Sequence, residues 1–460
     1  MAKVSIVITA HNYAKFLPQA IDSALSQTYQ NLEVVVVNDG STDHTDEVLS
    51  HYESDPRIVI LTLDGVGLAA ASNRGISAAS GEYIVRLDAD DWFDENLVHV
   101  LTGYLDAHPT VGMVFCDYYT VDVHGEIIDG VRRFKVNDEV KLLDRPCLAA
   151  GAMYRLGCWE AIGGYNENLR YQEDYDFWIK FIEKYSVRNV SLPLMYYRQH
   201  GNSMSKAWGP RMEARRWVKK RFVEENRDGF SKEVLAVLPA RSDPFGEHKL
   251  PLAPLGGKTL LKRAVDLLLG VEAVSRIIVS TDDPDIAEHA QDAGAEVPFL
   301  RSRRFNNPVL PFETVVEDLL RRLAEEQDYR PDILVILHPQ APFVTNSHVA
   351  EALDTLLLYK TDSVIAVLQD LTYHWKPGPT GLSPVGYQKR VVRQDKDLIF
   401  KEAGGLYVVD VPKFMDSLDL LGNTVGHIEL TAYESLRIQN PYDYWVAQTM
   451  VDAEGQWFRS

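Results

Sequence analysis

Two stretches of this chain open in the same way, and that repetition constrains the fold more than any other feature. The first begins VSIVITA at Val4 and continues to LEVVVVND, ending at Asp39. The second begins EVLAVLPA at Glu233 and continues to RIIVSTDD, ending at Asp283. In each, a short β-branched run passes into a loop, a helix-length stretch and a second β-rich run that stops at aspartate. Strands alternating with helical patterns indicate βαβ units on a parallel sheet. Ligands of such sheets sit beyond the carboxyl ends of the strands, so chemistry is expected in the residues that follow each run. At 460 residues the chain has room for two or three domains.

Charge places the boundary between the repeats. The net charge of −19 argues against nucleic acid as a partner, because polyanions select a basic face. Residues 1–205 carry −13, residues 206–232 carry +5 and residues 233–460 carry −11. A domain, a basic linker and a second domain with those limits follow. Trp208, Met212, Trp217, Val218 and Phe222 suit an amphipathic helix across the linker, with Pro210 near its start and Gly229 near its end. Such a helix either packs on one domain as a connector or makes peripheral contact with anionic lipid. The three cysteines, Cys116, Cys147 and Cys158, are too scattered for a disulfide framework or a zinc cluster and suit a reducing compartment. The apolar run at the N-terminus stops at Ala10 and reads as a buried strand rather than a signal peptide. No run approaches the roughly 20 apolar residues needed to span a bilayer. The expected location is cytoplasmic, with residues 206–232 as the place for any contact with the inner face of a membrane.

In the first domain the acids cluster at strand ends. Asp39 follows one strand and precedes Gly40-Ser41-Thr42-Asp43. It can accept from a nucleobase or ribose, or it can start an Asx-turn. GEYIVRL leads into Asp88-Ala89-Asp90-Asp91. Residues i and i+2 of an extended chain share a side, so Asp88 and Asp90 face one ligand while Asp91 points away. Two close carboxylates repel unless a cation such as Mg²⁺ or Mn²⁺ sits between them, although a solvated acidic turn has the same sequence. Glu173 and Asp174 precede the apolar Phe177, Ile179, Phe181 and Ile182, so a helix is expected to start at these acids. They either answer the helix dipole or provide a general base.

The order AHNYAKFLPQAIDSALSQTYQNLEVVVVNDGSTD, NRGISAASGEYIVRLDADD, GGYNENLRYQEDYDFWIKF and YRQH resembles the inverting family 2 glycosyltransferases over residues 3–205. The resemblance implies the nucleotide-diphospho-sugar transferase (GT-A-like) fold. It implies that Thr9, His11, Asn12, Tyr13 and Asp39 contact the base and ribose, and that Asp88 contacts the ribose or pyrophosphate. Asp90 would ligate the metal, with Asp88 and His200 beside it. Asp174 would be the catalytic base, with Glu173 adjacent. One departure is the order Asn73-Arg74, where the family often places an arginine before the asparagine.

Over residues 233–450 the segments VLPARSDPFGEHKLPLAPLGGKTLLKRAVDLL, RIIVSTDDPDIAEHAQDAGAEVPFLR, LVILHPQAPFVT and VVRQDKDLIFKEAGGLYVV resemble the cytidylyltransferases that make CMP-activated sialic-acid-type sugars. This implies a second Rossmann-like domain in tandem. The chain departs from that family where the reaction is carried. Ser242 and Asp243 stand where glycines belong, Phe245 and Leu250 where lysines belong, and Arg437 and Gln439 where aspartates hold Mg²⁺. Arg241, Lys249, Asp282, Arg393 and Gln394 remain as a candidate ligand cleft.

The leading expectation is a metal-dependent inverting glycosyltransferase with a nucleotide-sugar donor and a glycan or lipid-linked acceptor. It is fused to a degenerate CMP-sugar synthetase-like domain that offers a homodimer surface. The competing expectations are a bifunctional enzyme that both activates and transfers, and a nucleotide-sugar binding or scaffold protein with both sites silent.

Overall fold

The computed structural model describes residues 2–133, 151–200, 208–226, 232–306, 310–370, 372, 374–378, 381–385 and 399–453. The chain divides into two compact units, Met1–Val218 and Lys219–Ser460.

In the first unit the strands are β1 (Val4–Ala10), β2 (Leu32–Asp39), β3 (Ile58–Leu63), β4 (Tyr83–Asp88), β5 (Trp92–Phe93), β6 (Val111–Val121), β7 (Ile127–Val131), β8 (Ala152–Arg155) and β9 (Ser186–Arg198). They form one sheet in the order β3-β2-β1-β4-β8-β6-β9-β5, with β7 paired to β6. β1 to β4 are mutually parallel where they pair, and β8 turns antiparallel beside β4. Every residue of β1 and β2 is buried. A sheet covered on both faces needs apolar residues at successive positions, which explains the unbroken runs in the sequence. Ile6, Ile8, Val34 and Val36 pack with the helices Leu17–Leu25 and Leu97–Ala107. Val7, Val35 and Val37 pack on the opposite face with Phe177, Trp178 and Phe181. The helix Leu68–Ala78 lies so close to the sheet that a Cβ on Gly75 would meet Val7 at 2.6 Å.

The second unit repeats the plan. Its main strands are β10 (Val234–Pro239), β11 (Arg276–Ser280), β12 (Ile333–Leu337), β13 (Ser363–Asp370), β14 (Ile399–Asp410) and β15 (Val425–Glu429). Their order is β11-β10-β12-β14-β13-β15, with β10 parallel to both neighbours. Ala236 and Leu238 face Leu261, Val265 and Leu268, while Leu235 and Val237 face Leu319, Leu320 and Leu323.

The basic segment forms a helix, Trp208–Glu225, with the unit boundary inside it. It lacks the expected single apolar face. Trp217 is 44% exposed, whereas Lys219 is buried, with Nζ donating to Thr355 Oγ1 at 3.0 Å and lying 3.5 Å from Glu351 Oε1. Among the described residues no helix is long and apolar enough to cross a membrane.

Candidate active site

In the first unit the chain order of the strands reverses between β1 and β4, and there their carboxyl ends open onto a cleft of about 680 Å³. Thr9, His11, Tyr13, Asp39, Asp88, Asp90, Glu173 and Asp174 all line it. His200 meets it through Asp90, with Nε2 2.8 Å from Asp90 Oδ2.

At one end, Asp39 accepts from the backbone N–H groups of Val66 at 2.7 Å and Gly67 at 2.8 Å. It thereby pins the Gly65–Gly67 loop, whose glycines have φ of +74° and +92° and which begins the helix Leu68–Ala78. The carbonyl oxygen of Asp39 lies 2.6 Å from His11 Nδ1, so that nitrogen carries the proton. The Thr9 hydroxyl is buried and has no hydrogen-bond partner among the described residues. Asn12 is not among the lining residues. Its backbone is left-handed, with φ of +63°, and its Oδ1 accepts from the N–H groups of Thr42 at 2.7 Å and Asp43 at 3.3 Å. Asn12 thus shapes the loop after β2, and its Nδ2 lies 3.2 Å from Nε2 of the cleft residue His11.

In the middle, β4 ends at Asp88, and the turn after it carries Asp90 into the cleft. Asp91 turns away and accepts from the Arg198 backbone N–H at 2.8 Å. The Arg198 guanidinium lies between the Phe16 and Trp92 rings, and its Nε donates to the Asp90 carbonyl at 2.9 Å. Arg198 thus fastens the acidic turn to the end of β9, next to His200. Burial, reinforced by Asp88, raises the Asp90 carboxyl above the usual range, and His200 only partly offsets this. The Tyr13 hydroxyl is pushed up by burial and by the same acids, and stays a neutral donor. No group of three metal-ligating side chains is assembled among the described residues. The donor chemistry nevertheless fits a hard divalent cation: carboxylates and an imidazole stand together in a negative potential that such an ion would relieve.

At the other end, the helix Glu173–Lys184 starts after Gln172, a left-handed residue with φ of +62°. Burial pushes the Glu173 carboxyl up to about 7, with Asp174 adding to the shift and Arg86 opposing it. Asp174 is raised by burial as well, against Arg86, the Tyr175 N–H and Arg211. Raised carboxyls at a helix start in a cleft suit proton transfer near neutral pH. Sequence reasoning missed Arg86 and Arg211, which also line the cleft. Arg86 was detectable, because it stands two residues before Asp88 and shares its side of the strand. Arg211 has no local signal, since it belongs to the basic helix.

In the second unit the described candidate residues pair with charged neighbours outside the candidate set. Lys249 Nζ lies 2.6 Å from Asp283 and 3.0 Å from Asp285, and the buried Arg301 lies 3.3 Å from Asp282. Arg241 lies 3.7 Å from Asp243. Arg393 and Gln394 lie outside the described residues. His338 follows β12, and burial together with Arg437 lowers it to about 3.

These features have counterparts among known proteins. Residues 5–155 match the family described as Glycosyl transferase family 2, and residues 235–373 match the one described as Cytidylyltransferase. One match falls in each unit, in that order. It is 32% identical to the chondroitin synthase of Pasteurella multocida (strain Pm70) over 204 residues, which is 44% of this chain and 21% of that protein. It is 28% identical to a glycosyltransferase of Haemophilus influenzae over 231 residues, 45% of this chain and 68% of that one. Among solved structures, S. aureus TarS in complex with UDP-GlcNAc aligns with a TM-score of 0.42 at 20% identity, covering 48% of this chain and 66% of that one. The chain therefore spans about a fifth of the length of the chondroitin synthase it matches.

Proposed function

We propose that the first unit is an inverting glycosyltransferase that takes a nucleoside-diphosphate sugar and passes the sugar to a hydroxyl of a glycan or lipid-linked acceptor. The observation that carries this reading is the meeting, in one cleft, of Asp39, Asp88 and Asp90 from the strand ends with Glu173 and Asp174 from a helix start. Asp39 and the loop it pins hold the nucleoside, with the unpartnered Thr9 hydroxyl free to turn toward it. Tyr13 closes the cleft beside the acidic turn. Asp88, Asp90 and His200 are the residues that would hold Mg²⁺ or Mn²⁺. Such an ion, when bound, neutralises charge on the departing diphosphate. Asp174 accepts the proton of the acceptor hydroxyl as that oxygen attacks the anomeric carbon, and a single displacement inverts the centre. Glu173, raised to about 7, ionises far less readily than an exposed glutamate, which reduces the negative charge beside the base.

The domain limits we assign are 1–205 and 233–460, with 206–232 between them. We read the second unit as a cytidylyltransferase domain that has lost its reaction. Lys249 is engaged by Asp283 and Asp285, and the cation Arg437 acts on His338 in the region where the resemblance would place metal-binding acid. Homodimerisation through this unit, and contact of 206–232 with the inner face of a membrane, belong to the same proposal.

The test is a donor screen with UDP-, GDP-, dTDP- and CMP-sugars, scored by hydrolysis or transfer, on wild type and Asp174→Asn. Turnover should fall by about 10³-fold in the variant while donor affinity stays within about 2-fold. Wild-type turnover in Asp174→Asn removes the assigned base. Mg²⁺-dependent pyrophosphate release from CTP and a nonulosonic acid would restore activity to the second unit.

A further inference from the structure

We propose that Arg86 is a positioning residue that sets the donor end and the base end of the cleft together, holding Asp88 and Glu173 in a fixed relation through one guanidinium. The roles of the two acids rest on the transferase reading above; the link between them rests on geometry. Arg86 lies in β4, two residues before Asp88, so the two side chains share one side of the strand. It is 2% exposed, and a cation so buried is retained when carboxylates match its charge. Nη2 donates to Asp88 Oδ1 at 3.2 Å, and Nη1 lies 3.6 Å from Glu173 Oε1. The guanidinium carbon sits 5.3 Å from the centre of the Tyr165 ring, which fixes its plane.

The two acids come from elements far apart in the chain, the end of β4 and the first residue of the helix Glu173–Lys184. A planar fork can address both along set directions, whereas a lysine ammonium supplies one point charge. The 3.6 Å ion pair to Glu173 is longer than a hydrogen bond, so it has room to tighten. A ligand that takes up Asp88 leaves Arg86 more fully to Glu173. A change at Glu173 is then felt by a nucleotide bound at the donor end, and Arg86 carries the effect.

A double-mutant cycle read by calorimetry tests this, using UDP, GDP, dTDP and CDP with Mn²⁺ as probes and no acceptor. Glu173→Gln should change the affinity of the nucleotide that binds wild type by about 5-fold. In an Arg86→Met background the same substitution should change it by less than about 2-fold. Arg86→Lys keeps the buried charge and should preserve the melting temperature while losing the coupling, so it carries the test if Arg86→Met does not fold. Equal effects of Glu173→Gln in both backgrounds, or no effect in wild type, overturn the role of Arg86 and leave the transferase reading standing. Wild-type protein that binds none of the four nucleotides overturns both.

Discussion

Glu173 illustrates how burial turns one carboxyl into a pH-dependent element of stability. Its folded value of about 7 lies above the ~4.3 of an exposed glutamate. The protonated form therefore contributes stability that is complete below ~4.3 and lost as pH rises through 7. Glu173→Gln cannot ionise, so its stability relative to wild type should climb between pH 5 and 8 by about 2 kcal/mol, read from paired thermal melts. Asp39, Asp88 and Asp90 were legible as site candidates because carboxylates just after apolar runs have no core to enter, and Asp174 because it stands where an apolar helical run begins. Arg86 was not singled out, because a lone charge inside GEYIVRL reads as part of the strand. Asn12, where the family resemblance implied a ligand contact, has a left-handed backbone and bonds the neighbouring loop, with its Nδ2 3.2 Å from His11 Nε2.

Among the elements, the start of the parallel sheet is tied by a single acid. Glu33, at the second position of β2, lies 2.6 Å from Lys3 Nζ and accepts from the Ser5 hydroxyl at 2.6 Å and the Ser80 N–H at 2.6 Å. Burial alone would raise its carboxyl, but these donors prevail and hold it at about 2. A depressed value means stability present above ~4.3 and lost as pH falls through 2. Glu33→Gln should cost about 2 kcal/mol at pH 7, with the gap to wild type closing between pH 4 and 2 in denaturant titrations. β1, β2, β4 and β10 were readable because strands buried on both faces are apolar throughout. The pairing of β6 with β9 was not, because it joins residues some 75 positions apart, beyond any local pattern. The connector helix was readable as a helix, but its facing was not. Counting basic residues treats them all as solvated, whereas Lys219 is buried against Glu351. Lys219→Met removes the buried charge pair with Glu351 and should destabilise the second unit by about 3 kcal/mol, seen as a lower melting temperature of its transition.

At the scale of the whole molecule, two units with separate sheets and separate cores predict two unfolding events. Scanning calorimetry should resolve two transitions. A nucleoside diphosphate with Mn²⁺ should raise only the one assigned to the first unit, by mass action on its cleft. A rise in both transitions would place a nucleotide site in the second unit as well. The tandem arrangement was legible from the repeated opening of the two blocks and from the change in charge sign between them.

The helix Trp208–Glu225 has a practical consequence for anyone separating the halves. Arg211 lines the cleft and Arg215 sits 4.4 Å from the centre of the Tyr175 ring, so its first turns belong to one unit. Lys219 belongs to the other, and burial pushes the neighbouring Asp354 up to about 7 despite that lysine. The cut that keeps these contacts in both products falls inside the helix, between Val218 and Lys219. A clone that stops at 205 loses Arg211 from its cleft, and one that starts at 233 loses the Lys219–Glu351 pair. Fragments divided there keep Arg211 and Arg215 with the first unit and Lys219 with the second.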